Sequence, residues 1–442
     1  MASAAEQLAS NINFSSFSKA TDLKKRIWFT LGALIVYRLG TYIPLPGIDP
    51  SIFKQAFNSQ AGGMLGMFNL FSGGALERMT IFALNIMPYI SASIIMQLMS
   101  AISPQIEALK KEGESGRKKI NQYTRYGAVI LAAIQAYGIA RGLEASSGFG
   151  ASVINPGPFF ELTTVITLTG GTVFLLWLGE QITQRGIGNG ISLIIFSGIV
   201  AGLPAALAQT FELSLNNGVV ALIILLVPLV IAGIVCVERA HRRIIVQYPK
   251  RQVGNKMFGG ESSHLPIKLN VSGVIPPIFA SSLLLMPISA AQFSAGSGPE
   301  WLTWVTANLG RGSLGYILLY STLIAFFAFF YKSIVFNTED TAENLKKNGG
   351  FVPGIRPGKN TANHLDYIIN RLTVAGAAYL VAVCLLPEIL ISQYAVPFYF
   401  GGTSLLIVVS VTMDTVGQIH SHLVAHQYEG LIKKSKLKGR RG

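Results

Sequence analysis

About ten apolar segments divide this chain, and this repetition constrains the fold more than any other feature. A helix needs about 20 apolar residues to cross a hydrocarbon layer that is about 30 Å thick. The chain of 442 residues is 50% hydrophobic and only 13% charged, with a mean hydropathy of +0.48. These values exclude an ordinary soluble enzyme and predict an all-α polytopic membrane protein.

The loops between the apolar segments are alternately rich and poor in lysine and arginine. Cytoplasmic loops carry an excess of these residues, so the alternation predicts that both termini face the cytoplasm. The same bias accounts for the net charge of +14. The predicted spans cover about residues 27–42, 79–100, 126–142, 160–179, 191–210, 218–237, 271–291, 313–334, 372–390 and 398–419.

This pattern predicts one membrane domain built from two groups of five spans. Because five is an odd number, the two groups have opposite orientations, which permits an inverted repeat like those of many transporters. We divide the chain into a cytoplasmic segment (1–25), a first half (26–215), a second half (216–420) and a basic cytoplasmic tail (421–442). The second half contains two long, polar cytoplasmic loops, 238–270 and 336–371.

A short apolar stretch, 61–76, precedes the second span and is too short to cross a bilayer. Its Gly73-Gly74 pair favours a hinge, because glycine permits backbone conformations that other residues resist. Lipid does not tolerate unsatisfied non-helical backbone, so the stretch must lie against protein or in a cavity. We therefore predict a re-entrant helix that lines a cavity or blocks it.

The sequence contains no convincing catalytic or cofactor motif, so we expect neither an enzyme nor a bound metal or cofactor. Cys236 and Cys384 both lie in apolar runs, which excludes a disulfide scaffold. The glycine triplet that begins at Gly186 lies between two membrane spans and does not follow a strand, so it is not a dinucleotide loop. No phosphate-binding Walker motif is present, and energy for any transport must come from a partner.

Several long motifs spread over the chain carry a resemblance to a known family. They include FNLFSGGALERMTIFALNIMPYISASIIMQL, WLGEQITQRGIGNGISLIIF, HLPIKLNVSGVIPPIFASS, ENLKKNGGFVPGIRPG and PFYFGGTSLLIVVSV. Over about residues 20–435 the chain resembles the SecY family of protein-translocation channels, in its bacterial branch. The chain departs from the family pattern at Asn85, where a small residue is usual, and at Pro277, which makes a proline pair.

The resemblance implies an hourglass pore with a ring of aliphatic side chains at its waist. The matching positions are Ile86, Ile90, Ile191, Ile195, Ile278 and Ile407. Ile86 and Ile90 are four residues apart, and so are Ile191 and Ile195. Each pair therefore shares one helix face. β-Branched side chains are stiff, and a stiff apolar ring can dewet a pore and block ions.

The resemblance also assigns roles to three other groups of residues. The re-entrant stretch becomes a plug on the outer side of the ring, with Met64, Met67, Phe68, Phe71, Gly73 and Gly74. Spans two and seven become a lateral gate with Gln97, Ser281 and Ser282, whose weak polar contacts could equally be ordinary helix packing. Arg242, Arg243, Lys250, Arg251 and Arg356 become the docking residues of the long loops.

The implied function is a central translocon subunit of the bacterial cytoplasmic membrane. It passes unfolded polypeptides across the membrane and releases apolar segments sideways into lipid. The implied partners are the membrane subunits SecE and SecG, the motor ATPase SecA, the translating ribosome, signal peptides, nascent polypeptides and membrane lipids. The alternative function is a secondary transporter of a small solute, which usually needs charges near the membrane midplane. Its candidates are Arg38, which could instead snorkel to the interface, with Glu180, Glu388 and Asp414.

Overall fold

The computed structural model describes residues 21–60, 69, 72–145, 149–212, 217–249, 251–253, 256–258, 262–293, 313–394 and 402–438. These residues are mainly helical. The helices are α1 (Thr21–Gly40), α2 (Pro50–Gln60), α3 (Met87–Ile102), α4 (Pro104–Lys111), α5 (Glu114–Ala145), α6 (Pro158–Arg185), α7 (Gly190–Glu212), α8 (Asn217–Arg239), α9 (Ile275–Phe293), α10 (Leu314–Val335), α11 (Thr338–Lys347), α12 (Lys359–Tyr394) and α13 (Gly402–Lys438), with a 3-10 turn at Gly150–Ser152.

Each predicted span overlaps one of these helices, and the mainly helical architecture agrees with the predicted fold class. Within the described ranges, five helices are long and apolar enough to cross a membrane, judged by length and composition. They correspond to α5, α6, α10, α12 and α13. The division into two inverted halves stays a prediction. Residues 1–20 of the predicted cytoplasmic segment lie outside the described part of the chain.

The second span differs from its prediction at the start. The predicted helix begins at residue 79, whereas α3 begins at Met87 and residues 73–86 form turns. Met79 and Asn85 have positive φ values of 44° and 48°, a conformation that interrupts a right-handed helix. Pro88 then stands in the first turn of α3, where its missing N–H costs nothing.

The shortened α3 has 16 residues, which rise about 24 Å and fall short of the hydrocarbon thickness. The unwound segment before it is buried in protein, since Leu76, Met79, Phe82 and Leu84 are each less than 5% exposed. This burial is what a membrane requires of non-helical backbone.

The first long loop contains strands, which were not predicted from the sequence. β1 (His241–Gln247) pairs antiparallel with β4 (Ser262–Lys268), and β2 (Arg251–Val253) pairs antiparallel with β3 (Lys256–Phe258). In the ribbon formed by β1 and β4, Ile244, Val246 and Ile267 are buried. Ile244 and Ile267 belong to a small apolar cluster that also contains residues of α12, so the ribbon has its own core.

An ion pair between a buried lysine and a half-exposed aspartate joins α10 to α12. The Lys332 ammonium lies 2.6 Å from an Asp366 carboxylate oxygen and donates to Asn370 Oδ1 at 2.8 Å. The Lys332 side chain is 9% exposed, so its charge needs both partners. This contact joins the C-terminal end of α10 to the N-terminal part of α12.

We expect Asp366→Ala to lower the free energy of unfolding by about 1–3 kcal/mol, because it leaves a buried ammonium with an amide as its remaining partner. Glu343→Ala is the matched control. It breaks an exposed Glu343–Lys347 pair on α11 and should change stability by less than about 0.5 kcal/mol. Thermal unfolding in detergent measures both. Equal effects of the two substitutions would contradict this role of the pair.

Candidate pore and its lining

One cavity lies where the first two turns of four helices meet. These helices are α3, α7, α9 and α13. The cavity is lined by Asn85, Ile86, Met87, Ile90, Ile195, Ile278, Ser281, Ser282 and Ile407. The lining contains no acidic or basic side chain among the described residues. It combines a majority of apolar side chains with two hydroxyls and one amide.

Five of the six isoleucines expected at the waist line this cavity. Ile86, Ile195 and Ile407 are buried, and Ile90 and Ile278 are half-buried. The sixth, Ile191, is not among the residues that line the cavity. Its side chain lies against α6, where a Cβ atom on Gly179 would be 3.3 Å from Ile191 Cγ1. Its spacing from Ile195 is correct for a shared face, but only Ile195 borders the cavity.

The backbone conformation at residue 85 explains why asparagine can replace the small residue that is usual in the family. Its φ of 48° lies in the left-handed region, where glycine is unstrained and asparagine is the best tolerated alternative. The backbone therefore favours glycine there for conformational reasons. Because asparagine keeps the turn, it also adds a buried amide to the cavity wall. The second departure, Pro277, lies in the first turn of α9, where a helix tolerates proline.

The two helices of the predicted lateral gate, α3 and α9, pack against each other. The side chain of Gln97 donates to Ser93 on its own helix at 3.4 Å, and Ser281 donates to the Ile278 carbonyl at 2.9 Å. The Ser282 hydroxyl is buried and has no hydrogen-bond partner in the described part of the chain. Among the described residues, these three side chains form no hydrogen bond across the gate, and both serines border the cavity.

The structure describes only part of the predicted plug. Met64, Met67, Phe68 and Phe71 lie outside the described residues. Gly73 and Gly74 are described, with φ values of 65° and 83° that favour glycine. A Cβ atom on Gly73 would lie 2.8 Å from the Gly198 Cα atom of α7. Gly73 is thus required for close packing as well as for its backbone angle.

Two residues of α1, at its outer end in the predicted topology, contact this glycine segment. The Tyr37 hydroxyl donates to the Ser72 carbonyl at 3.3 Å, and Arg38 Nη1 donates to the Gly73 carbonyl at 3.0 Å. Arg38 is therefore engaged with protein backbone, which the snorkelling interpretation did not include. Sequence reasoning missed Tyr37 altogether, because an aromatic residue in an apolar span gives no sign of a partner 35 positions away.

The predicted docking residues lie on the loops. Arg242 and Arg243 are exposed on β1, and Arg356 is exposed in the turn before α12. Arg251 lies on β2. Lys250 falls outside the described residues. The backbones of Gln247 and Phe351 exchange hydrogen bonds of 2.9 and 3.0 Å, so the two long loops form one connected surface.

Comparison with known proteins agrees with this geometry. The SecY family model matches residues 80–416. The Escherichia coli K12 protein named protein translocase subunit SecY is 53% identical over 423 residues, which cover 95% of this chain and 96% of that protein. This multi-pass membrane protein belongs to the SecY family.

Solved structures show the same fold. "The structure of a protein conducting channel" aligns with a TM-score of 0.63 at 17% identity, covering 91% of this chain and 93% of that one. Sec61 in the canine ribosome-channel complex from the endoplasmic reticulum aligns with a TM-score of 0.59 at 16% identity, with the same coverages of 91% and 93%.

We predict that Ile90→Gly raises the resting ion conductance of the protein in planar bilayers, because it removes a stiff apolar side chain from the cavity wall. Ile90→Ala, which keeps a better helix former, should act in the same direction. Ile191→Gly is the matched control and should leak less, because Ile191 does not border the cavity. A resting current that is unchanged in both Ile90 variants would contradict the ring.

Proposed function

We propose that this chain is the pore-forming subunit of a bacterial protein translocase, which passes unfolded secretory polypeptides across the cytoplasmic membrane. The observation that carries the proposal is the cavity itself. Five isoleucines from four helices line one uncharged constriction in a chain of the SecY family. Such a constriction can exclude water and ions at rest and still yield to a polypeptide. The relatives' name, protein translocase subunit, supports this function.

The lateral gate belongs to the same proposal. α3 and α9 both border the cavity and pack against each other, and Gln97 and Ser281 make their hydrogen bonds within their own helices. Polar contacts between membrane helices average only about 0.6 kcal/mol, so an interface of this kind separates without great cost. Separation would open the cavity to lipid and release an apolar segment sideways. The stretch 61–76 is proposed as the plug above the cavity.

The proposed partners follow from the basic loops. SecA and the translating ribosome are proposed to dock on the surface formed by β1 and the Arg356 turn. The canine Sec61 channel, a structural neighbour, is bound to a ribosome in its complex, which supports the ribosome as one partner. SecE and SecG are proposed as membrane partners, and both termini are proposed to face the cytoplasm. Signal peptides, nascent chains and lipids complete the set.

The transporter alternative is not favoured. The cavity has no charged lining residue among those described. Arg38 is engaged with the Gly73 carbonyl, and Glu180 lies 2.6 Å from Arg125 in an ion pair. Asp414 is exposed, and the side chain of Glu388 is not described. A midplane site for ions or charged solutes therefore lacks its ligands in the described structure.

The decisive experiment traps a stalled secretory precursor in the channel. Cys236 and Cys384 are first replaced by alanine, and a single cysteine is placed at Ile90. We expect it to crosslink to the precursor. Ile130→Cys is the control, because Ile130 is 61% exposed on the outer face of α5 and should not crosslink. Equal labelling at both positions, or saturable uptake of a small solute without precursor contact, would count against the channel.

We predict that Arg356→Glu reduces SecA-driven precursor export while the protein still inserts, because it reverses the charge of an exposed, turn-presented side chain. Lys359→Glu makes the same change in net charge three residues later, at the first residue of α12, and should export normally. Export is measured with a radiolabelled precursor and inverted vesicles. Normal export by the Arg356 variant would refute its docking role.

A further inference from the structure

A continuous set of polar contacts joins the glycine segment after residue 71 to the cavity wall. Tyr37 is fully buried, and its hydroxyl donates to the Ser72 carbonyl at 3.3 Å. The Asn85 side chain lies close enough to the same hydroxyl to interact with it. Asn85 directly precedes Ile86, and both line the cavity. One phenol therefore connects the Ser72 backbone to a residue of the constriction.

Two further contacts hold the same segment in place. Arg38 Nη1 donates to the Gly73 carbonyl at 3.0 Å. Gly73 also packs against the backbone of Gly198. Gly198 lies on α7, three residues after Ile195, which lines the cavity. Ser72 and Gly73 thus contact α1, and Gly73 also contacts α7, in this conformation.

We propose that Tyr37, Arg38 and Asn85 form a latch on Ser72 and Gly73 that is closed in the idle pore and released when the pore opens. The proposal rests on the channel function proposed above, and it assigns these three side chains a positioning role in gating. A set of contacts shifts a conformational equilibrium only by the difference between the free energies that it contributes in the two states. A latch made in the closed state alone therefore holds the constriction shut.

The size of the effect follows from the kind of contact. One net hydrogen bond contributes about 0.5–1.5 kcal/mol, which corresponds to about a twofold to tenfold change in an equilibrium constant. Tyr37→Phe removes the hydroxyl that both Ser72 and Asn85 use and keeps the ring in place. Asn85→Gly removes the amide and keeps the positive φ that this position requires.

The test measures the open fraction of the resting channel in planar bilayers, with its membrane partner subunits present. We expect Tyr37→Phe and Asn85→Gly each to raise it by about twofold to tenfold. The fold increase in open fraction for the double variant should be smaller than the product of the two single increases, because both changes act through one hydroxyl. Tyr379→Phe is the matched control. Its buried hydroxyl has no hydrogen-bond partner in the described structure, so the conductance should not change.

Arg38 gives an independent arm of the test. Arg38→Met removes the donor to Gly73 and should leak, whereas Arg38→Lys retains a cationic donor and should restore most of the seal. Thermal unfolding is measured for every variant. A lower unfolding temperature with wild-type conductance would show that the contacts serve folding only, and it would overturn the latch.

The Ile90→Gly channel separates failure of the latch from failure of the proposed function. If Ile90→Gly leaks and Tyr37→Phe does not, the result supports the proposed constriction and refutes the latch. If neither variant leaks, the constriction itself is wrong. Leakage from the Tyr379→Phe control as large as that from Tyr37→Phe would also refute the latch, because any lost buried hydroxyl would then suffice.

Discussion

Backbone that leaves the helix inside a membrane protein must find all its hydrogen-bond partners within the protein. Residues 73–86 meet this requirement by bonding to the chain that follows α1. Leu45 N donates to the Met79 carbonyl at 2.9 Å, and Ile81 N donates to the Ile43 carbonyl at 3.1 Å. These bonds fix the entry to α3. The position of Ile86, and with it one side of the cavity, depends on them.

The other sides of the cavity depend on glycines at the starts of helices. Gly190 begins α7 against the backbone of Gly179, and Gly402 begins α13 against the backbone of Val383. In both cases a Cβ atom would collide with main-chain atoms that cannot move aside. The absence of a side chain lets each helix start close to its neighbour. The stiff isoleucines one turn later then reach the same small space from different directions.

Much of this arrangement was predictable from the sequence, and the rest has identifiable causes. Apolar length predicted the helices, and a spacing of four residues placed Ile86 and Ile90 on one face. The same rule placed Ile191 with Ile195, and of these two only Ile195 lines the cavity, because the spacing does not show how deep along the face the cavity extends. The unwound segment was missed because its composition is as apolar as that of a helix. Tyr37 was missed because its partner is distant in sequence and is a carbonyl that every residue possesses.

The convergence of four helix starts has an electrostatic consequence. The first N–H groups of a helix carry a partial positive charge of about half an elementary charge. Four such ends surround a space whose lining includes no carboxylate among the described residues. An ion that enters this space therefore loses its hydration without a charged side-chain partner among the described residues. Exclusion of small ions at this narrow point thus relies on the cost of dehydration, because no charged side chain of the described lining replaces the lost water.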